Sequence, residues 1–376
     1  MNRTTAADDV RDEYPVVIVG GGIAGSALLY ELSRRGVEAL LVERAERPAG
    51  ASAVTAAIIN PYRGRTARAR QLDLAGMQAY WRLAGQLREA GHDPGGDDGG
   101  VLRIASNARQ ASSWQRLVGE APSEESLEWL EAPRFPAPYH APFGGIRVMR
   151  GGRVEPAKLL AALVEAALEA GGSAVFGSEF REWRRGNDGV LSISIGAGDE
   201  TEVAANPRPA NVVRARELVL CLGAYDPQAC RLPRLEPATG LAITLASKNA
   251  SPVGDQLPPL AGAIGLIPHG DRVHITGGAL RTTAPRAADL AEAAENLHSA
   301  GSWYLPGITS ATIEAVWHGT RVRRRTGTPV VRRLAPGVTL FGALAGRGFL
   351  AGPHLAERLA SGLVERLATT SKLSTF

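Results

Sequence analysis

The stretch YPVVIVGGGIAGSALLYELSRRGVEALLVER, Tyr14 to Arg44, decides how the chain is read. Its apolar, β-branched start, Tyr14 to Val19, predicts a strand buried on both faces of a parallel sheet. Three consecutive glycines follow, and Gly20, Gly22 and Gly25 form G-x-G-x-x-G where a helix, Ile23 to Arg35, is expected to begin. The first glycine allows the tight turn, the second lets backbone approach a pyrophosphate, and the third lets helix pack on strand. Free N–H groups and the dipole at the helix N-terminus favour the phosphate anion. A second strand, VEALLVE, ends at Glu43, 18 residues after Gly25, where a carboxylate can accept hydrogen bonds from a ribose diol. Strand, helix and strand thus make a βαβ unit for a dinucleotide. FAD and NAD both fit that pattern.

The rest of the composition is that of a soluble globular protein. With 376 residues, 44% hydrophobic and 21% charged, the chain can bury sizeable cores. It has no apolar run of the ~20 residues that cross a bilayer, so no membrane partner is expected. The first thirteen residues are polar, without a signal-peptide core, which sets a cytoplasmic expectation. Cys221 and Cys230 provide neither a disulfide framework nor a metal spacing, and the seven histidines show none, so no metal is expected. Cys221, inside LVLCLGAY, reads as a core residue. The net charge of +4 is carried almost entirely by arginine, the lysines being Lys158, Lys248 and Lys372. Such a skew reads as a solvated basic surface before it reads as a nucleic-acid site.

Helical periodicity marks ARQLDLAGMQAYWRLAGQLREAG and EPAKLLAALVEAALEAG, the latter from Glu155 to Gly171. Short strands (SAVFGSEFREW, GVLSISIG) lead from there to RELVLCLGA, a second buried strand meeting a glycine turn. His92 to Gly100 reads as a loop, and the proline-rich Glu131 to Gly145 as a segment winding over a surface or pocket. Residues from about Pro237 to Ile313 read as strand-like, with a hairpin turning at His269-Gly270-Asp271. The end is strand, glycine turn and amphipathic helix. The expected fold class is therefore α/β: a Rossmann-like nucleotide-binding domain with a parallel sheet, interrupted by a β-rich substrate-binding domain. The first domain would comprise residues 14–80, 150–230 and 315–376, the second 81–149 and 231–314, with 1–13 a disordered tail.

The opening block resembles the D-amino acid oxidase and glycine oxidase family of FAD-dependent oxidoreductases. The resemblance continues through GASAVTAAIINP (Gly50 to Pro61), RVEPAKLLAAL (Arg153 to Leu163), LVLCLGAY (Leu218 to Tyr225), VWHGTRVRRRTGTPVV (Val316 to Val331) and FGALAGRGFLAGPHLAERLASGL (Phe341 to Leu363), in family order. The last block is also similar to the oxidase domain of bifunctional tRNA-uridine-modifying enzymes. The resemblance implies non-covalent FAD, since neither cysteine is placed for a flavin link. Its implied contacts are Gly20, Gly22, Ile23, Ala24, Gly25, Glu43, Arg44, Ser52, Ala56, Ala57, Phe180, Gly223, Ala224, Gly346, Arg347, Gly348, Phe349 and Leu350. Small residues at Ala56 and Ala57 would leave room along the isoalloxazine. The AGRGFL turn would aim N–H groups and a helix N-terminus at the flavin.

By the same resemblance Arg321 would pair with a substrate carboxylate, for which a guanidinium's planar fork is suited. Val322 and Thr326 depart from the family's usual proline and aspartate. The basic cluster NPYRGRTARAR, Asn60 to Arg70, follows the flavin loop, so that Tyr62, Arg63 or Arg65 would face the substrate or the cluster would be a plain basic loop, and His269 would approach the site from its hairpin. The implied reaction oxidises a C–N bond of an amino acid or secondary amine to an imine that water hydrolyses, with oxygen reoxidising the flavin to give hydrogen peroxide. Three rivals stay open: a carboxymethylamino group of modified tRNA as substrate, a dehydrogenase with another electron acceptor, and a non-catalytic flavin-binding module.

Overall fold

The computed structural model of the chain describes residues 10–47, 50–62, 67–121, 127–197, 211–224, 235–246, 257–280 and 282–373. The opening stretch forms the expected unit. The strand Glu13–Val19 runs parallel to Ala39–Val42 on one side and to Asn211–Leu220 on the other, with helix Ile23–Ser33 between the first two. Ser173–Val175 extends the parallel sheet beyond Ala39–Val42, and Val338–Gly342 extends it beyond Asn211–Leu220. Val330–Ala335 closes one edge antiparallel, and the hairpin Ser178–Arg185 and Leu191–Ala197 adds to Asn211–Leu220.

The continuous apolar run is needed because both faces of this sheet are covered. Val16 and Ile18 pack under helices Ile23–Ser33, Ala67–Glu89, Pro156–Glu169 and Gly348–Leu373, while Val17 and Val19 pack on the other side with Leu191, Ile193 and Val213. A Cβ on Gly76 would lie 2.3 Å from the Leu350 carbonyl oxygen, so helix Ala67–Glu89 touches the C-terminal helix backbone to backbone there.

The second sheet runs in the order Thr312–Arg324, Leu235–Ala246, Arg272–Leu280, Gly265–His269, Leu260–Ala261, Val101–Ile104, Gly145–Val148 and Leu127–Leu130. All its pairs are antiparallel except Leu260 with Leu102. The hairpin turns at Gly270, φ +59°, as the sequence predicts. Helix Ala287–Tyr304 covers one face, seating Leu297 among Leu241, Ile243, Leu266 and Ile275. Among the described residues no helix is long and apolar enough to cross a membrane.

Several expectations are corrected. Residues 10–13 are not a disordered tail: the strand starts at Glu13, Val10 packs on the first core, and Asp12 accepts from the Arg214 N–H at 2.7 Å. The long Asn211–Leu220 strand supplies that pairing edge; residues 1–9 lie outside the described ones. The boundary expected at 315 falls inside the strand Thr312–Arg324, which pairs along its length with Leu235–Ala246, and the chain returns to the first sheet only at Val330. Residues 81–89 complete the helix Ala67–Glu89, whose Leu83, Ala84 and Leu87 are buried in the first core. Ala287–Tyr304 is helical where strands were expected, and Ala108–Glu120 is a helix that periodicity alone did not reveal. Asn107 caps the latter by accepting the Gln110 N–H at 2.9 Å. The proline-rich segment takes the surface alternative of its reading: most of it is exposed, while Phe135 and Tyr139 anchor it in the second core and the Tyr139 hydroxyl donates to the Pro258 carbonyl.

Candidate functional site

The carboxyl ends of the parallel strands, at Val19, Val42 and Leu220, open into a cavity of about 1080 Å³ roofed by the second sheet. Ligands of open α/β sheets bind at such ends. The volume lies just above the ~300–1,000 Å³ range of small-molecule sites, in keeping with a dinucleotide plus a small substrate.

At the nucleotide end, Gly20 has φ +104°, and a Cβ there would lie 2.5 Å from the Cys221 carbonyl oxygen, so only glycine fits. Gly25 does not line the cavity; a Cβ there would lie 1.9 Å from the Gly20 oxygen, so its role is to seat the helix on the loop. Gly22, Ile23 and Ala24 line the wall at the helix N-terminus, where Ser52 Oγ accepts the Ile23 N–H at 3.1 Å from 29 residues away. Glu43 is buried. Its Oε2 accepts the Gly21 N–H at 2.6 Å and its Oε1 the Ala45 N–H at 3.0 Å, which fixes the carboxylate at the cavity edge. Arg44 and Phe180 complete this end.

Along the middle, Ala56, Ala57, Gly223 and Ala224 present small surfaces to the cavity, and Gly346, Gly348, Phe349 and Leu350 bring the start of the C-terminal helix to it. Arg347 is the exception. It does not line the cavity: its backbone N–H donates to the Leu344 carbonyl at 2.9 Å, and its side chain pairs with Asp73 and donates to the Gly327 carbonyl. Ala343 and Ala345, φ 52° and 51°, line the same turn in the left-handed region. For residues with a Cβ this strain is on the order of 1–3 kcal/mol each. Nothing in an alanine's identity signals it.

The roof carries Arg321. Its guanidinium lies against the Gly240 backbone, where a Cβ would stand 2.4 Å from Nη2. It has no hydrogen-bond or ion-pair partner among the described residues, and burial, then Arg323, pushes its pKa down. The acidic residues of the wall, Glu43, Glu179 and Glu182, all belong to the first-sheet side. Tyr62 is buried and lines the cavity, its backbone held by Asn60 Oδ1 at 3.0 Å, whereas Arg63 and Arg65 lie outside the described residues. His269 is corrected: it sits exposed at the hairpin turn with its ring 6.2 Å from that of His274, and the hairpin reaches the cavity instead through Gly265 and Thr276 to Ala279. Arg103 and Trp317 line the cavity without having been singled out. The charge interrupting the apolar run Val101–Ile104 was the available signal for Arg103, which stacks on Trp114 at 4.5 Å.

Glycines that a Cβ would disturb, a carboxylate fixed at the second strand end, and a helix N-terminus opening into one long cavity fit a bound dinucleotide. A family model described as FAD dependent oxidoreductase matches residues 15–361. The chain is 29% identical over 363 residues to the tRNA 5-methylaminomethyl-2-thiouridine biosynthesis bifunctional protein MnmC of Maricaulis maris (strain MCS10), covering 95% of this chain and 54% of that protein, and so spans about half of that relative's length. It is 28% identical over 388 residues to a glycine oxidase of Geobacillus kaustophilus (strain HTA426), covering 96% of each. Among solved structures, glycine oxidase from Geobacillus kaustophilus superposes with a TM-score of 0.78 at 21% identity, covering 95% of each chain. Iminodiacetate oxidase from Chelativorans sp. BNC1 gives 0.74 at 22%, covering 93% of this chain and 95% of that one.

Proposed function

The chain belongs to the FAD-dependent oxidoreductase family, and from that premise we propose that it oxidises the C–N bond of a small amino acid or secondary amine bearing a carboxylate. The observation that carries this reading is Arg321: a largely buried cation in the cavity roof with no acidic partner among the described residues. Such a charge is costly to bury unless something pairs with it, and a substrate carboxylate is the partner a guanidinium fork receives best. Bound FAD supplies the two-electron acceptor for the substrate's α-hydrogen. Arg321 anchors the carboxylate, the Gly240 backbone under it fixes the guanidinium plane, and Leu241 and Ile264 of the roof, with Ile58 of the strand Ala57–Ile59, give that end of the cavity an apolar surface. FAD is held non-covalently in this reading: Cys221, the one cysteine among the described residues, is buried and its thiol pKa is raised by burial. Oxygen is the proposed final acceptor, with hydrogen peroxide as product, in line with the relatives named oxidases.

The test is anaerobic bleaching of the flavin band by glycine, sarcosine, proline and D- and L-amino acids, set against amines of matched size without a carboxylate. Bleaching by the carboxylates alone is expected; bleaching by both sets equally would refute the anchor. A second reading draws on the 95% of the chain aligned with the bifunctional relative. A carboxymethylamino group on tRNA is itself an N-substituted glycine, so Arg321 would anchor it in the same way. Inertness toward every free amino acid with bleaching by such a tRNA would favour that reading.

A further inference from the structure

Asp73 lies on helix Ala67–Glu89, fully buried, and the Arg347 Nε stands 2.9 Å from its Oδ1 and 3.3 Å from its Oδ2. The same guanidinium donates through Nη1 to the Gly327 carbonyl at 2.9 Å. Arg347 therefore ties three segments together. One is helix Ala67–Glu89. Another is the Gly327 turn that ends the strand bearing Arg321. The last is the turn holding the left-handed Ala343 and Ala345, which starts the C-terminal helix. Its own side chain is off the cavity while Leu344, Ala345, Gly346 and Gly348 around it are on the wall. One helical turn beyond Asp73, Gly76 offers bare backbone to the Leu350 oxygen, so the helix that supplies the tether also fixes the depth of the C-terminal helix.

We propose that Asp73 is a positioning residue: through Arg347 it clamps the strained Ala343–Gly348 turn so that the N-terminus of helix Gly348–Leu373 stays aimed into the cofactor cavity. A strained turn persists only where its surroundings over-determine it, and the Asp73–Arg347 ion pair acts here beside the Arg323–Leu344 backbone bridge. N–H groups and the positive end of the dipole favour the more negatively charged form of whatever they face. Reduced flavin carries more negative charge than oxidised flavin. Releasing the clamp should then weaken FAD binding and weaken it further for the reduced form. The inference rests on the family's FAD and not on the substrate reading.

The experiment measures the FAD dissociation constant, the two-electron midpoint potential and the apoprotein melting temperature of wild type, Asp73→Asn and the double variant Asp73→Leu/Arg347→Met. Both variants are expected to bind FAD at least tenfold more weakly. Their potential should fall by about 30 mV, the equivalent of a tenfold preference lost for the reduced form. The double variant leaves no unpaired charge from this ion pair and so keeps the test open where Asp73→Asn fails to fold. Wild-type affinity and potential in a folded double variant would overturn the proposal, leaving the pair a structural contact only; so would an unchanged potential in a folded Asp73→Asn. A loss of both in the double variant, with its melting temperature maintained, supports it. No substrate enters these measurements, so they fail or succeed independently of the proposed reaction.

Discussion

Replacing Arg321 by alanine removes the one group on which the proposed substrate class depends, and the structure sets the size of the effect. A bidentate guanidinium–carboxylate pair contains two charge-assisted hydrogen bonds, each contributing about 1.5–3 kcal/mol. Those figures are already net of the water bonds that each group gives up. Here the guanidinium is already largely buried against Gly240 with no partner among the described residues, so most of its own desolvation has been incurred on folding. Close to the full sum should therefore appear in binding, a loss of roughly a hundredfold to ten-thousandfold in kcat/KM at about 1.4 kcal/mol per factor of ten. Arg321→Lys keeps the charge but not the fork, and its loss should fall between wild type and alanine. The assay is anaerobic flavin reduction by stopped flow with two substrates, an amino acid and an amine of matched size lacking the carboxylate. FAD content and the amine rate should be nearly unchanged. Equal losses on both substrates would refute the pairing and make Arg321 structural, and no loss on either would move the anchor, with Arg103 the other cation that the second sheet brings to the cavity.

Three further outcomes follow from the same geometry. Gly240→Ala places a Cβ 2.4 Å from Arg321 Nη2 and must displace the guanidinium; kcat/KM for carboxylate substrates should fall on the order of a hundredfold, the effect of a roughly 1 Å misplacement, with FAD content measured by absorbance unchanged. Glu43→Ala leaves the Gly21 and Ala45 N–H groups without their acceptor; at about 1–3 kcal/mol per unsatisfied buried group, FAD titration should show tenfold or weaker binding, and an unaltered dissociation constant would mean that the carboxylate does not support the cofactor. Burial, then His269 and Arg272, lower the pKa of His274, whose Nδ1 is 3.0 Å from Thr244 Oγ1. The unfolded chain then binds the proton first, so the stability from neutral His274 is present above the ordinary value of about 6.5 and lost as pH falls through the lower folded value; melting temperature should drop in that window, and His274→Gln should flatten the drop.

How far the sequence could be read depended on whether a feature is local. Gly20, Gly22, Gly25 and Glu43 act within one βαβ unit, and their spacing alone predicts the turn, the packing contact and the carboxylate at the strand end. Arg321 was legible through its neighbours, and the structure adds what no pattern contains, the absence of an acidic partner among the described residues. Ser52 was named by its position in a small-residue loop, but its hydrogen bond to Ile23 spans 29 residues and follows from the fold. His269 failed because a hairpin has two ends: the turn was visible, whereas the end that faces the cavity depends on how Arg272–Leu280 crosses Leu235–Ala246. The boundary expected at 315 failed for a similar reason. A long alternating strand fits the edge of either sheet, and the pairing with Leu235–Ala246 chose.

The places where this chain breaks local rules lie in the wall of one cavity or directly behind it. Ala343 and Ala345 hold backbone angles that glycine would hold at less cost, Arg321 is a partly buried cation without an acidic neighbour among the described residues, and a fully buried Asp73 reaches across to Arg347. Each departure lowers stability or limits what the sequence can become, and folding alone supplies no reason for them to gather on one seam. Function does. A turn strained into position keeps its N–H groups aimed before any ligand arrives, and a cation desolvated in advance loses little more when a carboxylate meets it. On this view the stability of the empty protein and the affinity of the site are opposed at Arg321. Arg321→Met, which fills the same volume without charge, should therefore melt no lower than wild type while losing the carboxylate substrates, and a markedly lower melting temperature would show that the arginine holds the fold together instead.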